Sequence, residues 1–158
     1  MMKMVMGIDP GKNGAIVWRD EDGMMPKVLR MPPTDGDCVD ALRSVSAEYC
    51  TYGGPRTCYI EKVGGFVKGK SAPGSAMFQF GHGRGVLVGC LMTLGFRVIE
   101  VTPQKWQGWL GIGKVGGDKH KLKAEAQRRF PEVDVTLCNA DALLIYDYAC
   151  AMERGNHE

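Results

Sequence analysis

Three carboxylates in this sequence stand where the chain changes direction. Asp9 closes the apolar run MVMGID and opens the turn PGKNG, Glu61 follows the β-forming TCYI, and Asp141 falls in the first turn of the helical ADALLIYDYA. An ionised group at the end of a buried strand is costly unless it is paired, hydrogen-bonded or bound to a metal. Asp9 therefore has two readings, a ligand or a turn-former that bonds its own backbone. Glu61 can equally be a solvated strand end, and Asp141 a favourable charge at a helix N-terminus. Should the three ends meet, the layout is that of a two-metal phosphodiesterase. Magnesium takes hard oxygen ligands and keeps several waters, so a few carboxylates serve a pair of ions about 3.5–4 Å apart. Without cations such carboxylates repel one another, which raises their pKa values and makes metal binding release protons.

The elements that must position these groups follow from the pattern of apolar residues. Residues 4–8 and 15–18 read as two buried strands around a turn at 10–14, and residues 24–31 as a third strand that Pro26 confines to an edge. Cys38, Val39, Leu42, Val45 and Tyr49 recur at helical spacing, predicting a helix over 37–50, and 57–63 reads as a fourth strand. The stretch GGFVKGKSAPGS at 64–75 is too rich in glycine for regular structure and reads as a mobile basic loop. A second helix over 76–94 carries glycines at 81, 83, 85 and 89, each costing roughly 1 kcal/mol against alanine. Their spacing of four suggests a surface that another backbone approaches. A fifth strand at 96–101 ends at Thr102-Pro103, and a short helix at 104–110 bears Trp106 and Trp109, read as core or interface residues. The glycine-rich stretch 111–117 reads as a second flexible loop. Asp118 caps a basic helix that stops at Phe130-Pro131, and Asn139 is expected to cap a last helix running to 152.

At 158 residues, 44% of them apolar, the chain suits a single domain over 1–158 that buries a core without staples. A formal charge of +2 means that any nucleic-acid site must come from local clustering. Lys119, Lys121, Lys123, Arg128 and Arg129 form the densest basic stretch, and Lys105 lies beside the two tryptophans. Alone, that stretch reads as a solvated helix face; next to an acidic metal site it reads better as a tracker of phosphates. Phe66, Val67, Lys68 and Lys70, with Gln79 to Arg84, are further candidates for contacting DNA. Cysteines at 38, 50, 58, 90, 138 and 150 form no C-x-x-C pair, which favours reduced thiols over zinc or disulfides. The chain shows neither a membrane-length apolar run nor the order of a secretory signal, so the expectation is a cytoplasmic protein.

GIDPG with its following glycine, YIEKV and NADALLIYDYA together resemble the RuvC-type Holliday-junction resolvases, particularly the short bacteriophage and prophage forms. The likeness extends through MFQFGHGRGVLVGCLMTLGFRVIEVTPQKWQGWLGI and KHKLKAEAQRRFP, covering almost the whole chain. It implies an α/β, ribonuclease H-like fold, with a five-stranded mixed sheet flanked by helices. It further implies a homodimeric endonuclease that nicks two strands of a four-way DNA junction, with Mg2+ as cofactor and Mn2+ as a substitute. By that analogy Asp9 bridges two ions and Glu61 and Asp141 each complete one. Many relatives carry an acid or histidine three residues before the final aspartate, where this sequence has Cys138. A thiol is a poor magnesium ligand, leaving a three-carboxylate site with water in the gap. Asp134 could reach in from the preceding loop, whereas Asp147 faces elsewhere on the helix. Two alternatives share these motifs: a same-fold nuclease acting on flaps or forks, and a junction-binding protein with a weakened site. An actin-like ATPase shares the acidic turn but needs a second phosphate loop and two lobes.

Overall fold

A computed structural model describes residues 3–19, 25–49, 54–62, 64 and 74–155. Strands β1 (Met4–Asp9) and β2 (Ala15–Arg19) pair antiparallel across the glycine turn, and β3 (Pro26–Arg30) adds antiparallel to β2 at the edge that Pro26 predicts. On the other side of β1, strand β4 (Arg56–Glu61) runs parallel to it, and β5 (Arg97–Val101) runs parallel to β4. The order β3-β2-β1-β4-β5 makes one five-stranded mixed sheet. Parallel neighbours need crossovers, supplied by α1 (Asp35–Glu48) before β4 and α2 (Gly74–Thr93) before β5. Helices α3 (Pro103–Trp109), α4 (Lys119–Arg129) and α5 (Ala140–Gly155) complete the chain.

Two caps depart from the expected boundaries. Thr34 Oγ1 accepts from the Asp37 amide, so α1 starts at Asp35 rather than two residues later. Ahead of α5, Thr136 Oγ1 accepts from the amides of Cys138 and Asn139, while Asn139 Oδ1 accepts from the Thr136 amide. This reciprocal arrangement is a capping box. Thr136 is therefore the cap, and Asn139 is its partner. The loop 111–117 is likewise more definite than its composition implies. Gly116 and Gly117, at φ 60° and 85°, hold the left-handed turn that leads into Asp118, whose side chain caps α4.

Strand alternation sends Met4, Met6 and Ile8 to one face, where they pack with Cys58, Ile60, Leu42, Val45, Leu87 and Leu91 under α1 and α2. Val5, Val17 and Tyr59 face the opposite way, into a core formed with α3, α4 and α5. Helix α5 is its centre. Residues 140–146 of α5 are buried without interruption, wider than the single stripe of Ala142, Ile145, Ala149 and Met152 expected for a surface helix. Its backbone lies directly on β1: a Cβ at Gly7 would come within 2.5 Å of the Tyr146 nitrogen and 2.6 Å of its Cα. Backbone on backbone has no flexible partner to give way. Gly7→Ala should therefore cost about 1–3 kcal/mol, as overpacking does. Urea denaturation of the variant beside the parent protein measures it, and unchanged stability would contradict this packing.

Candidate active site

The same alternation that buries Val5 and Tyr59 toward α5 puts Asp9 and Glu61 on that face. They are the last residues of β1 and β4, and the parallel register Ile8 to Ile60 sets their ends side by side. Asp141 arrives from above, in the first turn of α5, and is buried. The two readings of Asp9 turn out to be compatible. Its Oδ1 accepts from the Gly11 amide at 3.3 Å, the turn-forming bond, while Gly14 closes the turn by donating to Gly11 O at 2.8 Å. A Cβ at Gly14 would run into the carbonyl of Asp9, so the turn and the carboxylate are placed together.

The three acids feel one another. Burial raises the Asp9 carboxyl, the charge of Asp141 raises it further, and the Gly11 amide and Lys119 oppose. Glu61 is pushed up to about 7, first by burial, with the charges of Asp9 and Asp141 adding to it and a hydrogen bond from Trp106 opposing. Trp106 Nε1 donates to Glu61 Oε2 at 2.8 Å. Lys119 Nζ, at the start of α4, lies 3.0 Å from Asp141 Oδ2. Burial depresses that ammonium, but the hydrogen bond and charge of Asp141, with Asp9 and Glu61 behind it, outweigh burial and raise it. The acids sit within electrostatic reach rather than in contact. Among the described residues, no three Asp, Glu, His or Cys side chains are close enough to enclose an ion as they stand.

The basic residues divide into groups with different roles. Arg129, from the stretch read as a phosphate tracker, is structural. Its guanidinium bonds Glu125 Oε1 at 2.6 Å, Asp147 Oδ2 at 2.8 Å and Leu110 O at 3.2 Å, and lies 4.9 Å from the centre of the Trp109 ring. Arg128 is exposed but bonded through both nitrogens to Glu125, whose carboxyl it helps hold down to about 2. Arg84 is ion-paired with Glu100, and Lys121 donates to Lys114 O at 2.9 Å. Lys105 and Gln79 are exposed and Lys123 is half-buried. Lys68 and Lys70, with Phe66 and Val67, lie outside the described residues. Cys138 and Asp134 line a groove of about 540 Å³ against β3, with Arg30 and Glu132, and neither figures among the groups acting on Asp9 or Glu61. Two members of the site escaped the sequence reading. In the sequence Trp106 reads as core or interface, and Lys119 as a phosphate contact rather than a partner of Asp141. The signal for Trp106 was its place four residues after Thr102-Pro103, which starts a helix at the end of a strand; using it requires knowing that β5 lies beside β4.

No family model matches the chain, and no curated protein matches it. Its architecture is that of the ribonuclease H-like α/β fold seen in RuvC. A structure of Thermus thermophilus RuvC superposes with a TM-score of 0.61 over 97% of this chain and 96% of the other, at 17% identity. A second structure, T. thermophilus RuvC in complex with Holliday junction substrate, gives a TM-score of 0.61 over 98% and 96%, at 16% identity.

A carboxyl with a raised folded-state pKa holds its proton more tightly in the folded than in the unfolded chain, so its ionisation opposes folding. For Glu61 that penalty is complete above about 7 and disappears as pH falls toward the ordinary 4.5. Glu125 does not mask it, because its contribution is kept down to 4.5 and lost only toward about 2. Without divalent ions, the Glu61→Gln variant should exceed the parent in stability at pH 8 by on the order of 1–3 kcal/mol. The difference should close by pH 4.5. Thermal melts in EDTA across this range check the prediction, and a pH-independent difference would refute it.

Proposed function

We propose that this chain is a metal-dependent, structure-selective endonuclease that resolves four-way DNA junctions as a homodimer. The observation that carries the reading is the meeting of Asp9, Glu61 and Asp141 at the ends of β1 and β4 and the start of α5, within electrostatic reach of one another. The fold supports it, since the RuvC that shares this architecture has been captured with Holliday junction substrate.

The donor set suits magnesium or manganese: three hard carboxylates, two of them raised by burial and mutual repulsion, with the Lys119 ammonium beside them. Asp9, Glu61 and Asp141 are the residues that would hold the metal. Divalent ions, when bound, supply an activated water and neutralise charge on the leaving oxygen. Asp9 is fixed through its Oδ1 by the Gly11 amide. Lys119 keeps a permanent positive charge at the same end of the sheet, where a phosphate can be drawn toward the carboxylates. Lys105, Lys121 and Lys123 are read as sequence-independent phosphate contacts, with Gln79 and Arg84 on α2 and Lys68 and Lys70 ahead of it in sequence as further DNA contacts.

For dimerisation, the outward stripe of α2 is the candidate face. Phe78, Gly81, Gly85, Gly89 and Met92 are all exposed, and a Cβ on any of the three glycines would meet nothing within 4 Å. Leu87 and Leu91 of the same helix add nothing to this face, because both are buried in the core. Phe78 and Met92 supply its apolar area. A two-fold dimer matches the approximate two-fold symmetry of a four-way junction and sets one site on each of two opposed strands.

The test compares cutting of a four-way junction, a flap and a plain duplex, with and without magnesium. The junction should be cut in preference and only with metal. Asp9→Asn, Glu61→Gln and Asp141→Asn should each reduce cutting to background while junction binding is kept or tightened, because repulsion of phosphate falls. Wild-type cutting by Asp9→Asn would overturn the proposal, and a flap cut in preference would reassign the substrate. Cys138→Ser should cut like the parent, since its thiol lies in the groove against β3. Sedimentation together with a cruciform plasmid assay checks the dimer. Linear product formed in one binding event is expected; single nicks at every concentration would refute paired action.

A further inference from the structure

We infer that Trp106 is a positioning residue for Glu61, whose indole N–H holds one carboxylate oxygen so that the other is presented to a divalent cation. The inference rests on the metal-dependent reading above. Its basis is geometric. Trp106 is 0% exposed, and an indole has one polar hydrogen to satisfy. It belongs to the apolar core cluster that also holds Val101, Leu110, Leu122, Ala140 and Leu144, and its N–H goes to Glu61 Oε2 at 2.8 Å. Each of the three acids is thereby held by one donor of a different kind: Asp9 by the Gly11 amide, Asp141 by Lys119, and Glu61 by Trp106.

The indole is not free to drift from its partner. Glu61 pairs in register with Val101, and the Lys62 amide donates to Val101 O at 2.8 Å. One residue later Thr102 caps α3 through its hydroxyl, Pro103 sets the first helical φ, and the Trp106 amide returns to Thr102 O at 3.3 Å. A continuous run of backbone bonds thus joins the strand that carries the carboxylate to the helix that carries the donor. Groups that orient a metal ligand from behind in this way commonly set metal affinity by about 10–100-fold.

The experiment uses two full-length proteins lacking the N–H: Trp106→Phe, and a variant with the sulfur isostere of tryptophan, benzothienylalanine, at 106. The isostere keeps the bicyclic shape, so it stays informative if the smaller ring unsettles the core. Three quantities are read beside the parent: Mn2+ binding by electron paramagnetic resonance, the Mg2+ concentration for half-maximal junction cutting, and junction affinity in EDTA. Mn2+ binding should weaken, and the Mg2+ midpoint rise, by about 10-fold or more, with junction affinity unchanged. A folded variant that binds Mn2+ and responds to Mg2+ like the parent, whatever its melting temperature, overturns the inference and leaves the nuclease reading standing. If instead Asp9→Asn and Glu61→Gln bind Mn2+ and cut like the parent, the nuclease reading itself fails and the inference falls with it.

Discussion

The seating of α5 on β1 is the constraint from which the rest of the molecule follows. Gly7 lets the backbone of Tyr146 lie against the strand, and no side chain separates the two. At that distance the helix has little freedom to slide. Its first turn is set beyond the end of β1, which puts Asp141 near Asp9. A strand three places later in sequence order and adjacent in space, β4, then delivers Glu61 on the same face by simple alternation. Three carboxylates are gathered by a packing contact made at the middle of the sheet.

Gathering them works against stability. Burial and mutual repulsion raise Asp9 and Glu61, and the fold offsets this with a backbone amide, an indole and one ammonium. The ammonium is positioned by charges that have nothing to do with the acids. Arg129, braced by Glu125 of its own helix, ties α4 to α5 through Asp147 and to the end of α3 through Leu110 and Trp109, so Lys119, ten residues earlier on the same helix, is delivered to Asp141. The densest basic stretch is therefore two things at once. Its C-terminal end is an ion-paired clamp, and its N-terminal end faces the acidic centre.

Helix α2 illustrates a different division. Its inward side is ordinary core, with Leu87 and Leu91 on the sheet. Outward, glycines recur where nothing in the described chain touches them. Helix α2 gives up about 1 kcal/mol at each of these glycines without using the space for packing within the described residues.

Much of this was legible in the residues themselves. Period-two and helical apolar patterns gave the five strands and the helices in order, because burial against a sheet or a helix face imposes those periods locally. Pro26 marked an edge, Asp118 a cap, and Asp9, Glu61 and Asp141 stood at element ends that only a mixed sheet could unite. What tertiary structure alone decided depends on which elements become neighbours. Arg129 looks like part of any basic face until Asp147 is set opposite it, and Leu87 looks available to a partner until the sheet covers it. Trp106 reads as core by composition, and it is core. That its single donor points at Glu61 follows from β5 lying beside β4, a juxtaposition of residues 45 apart in sequence that no local pattern encodes.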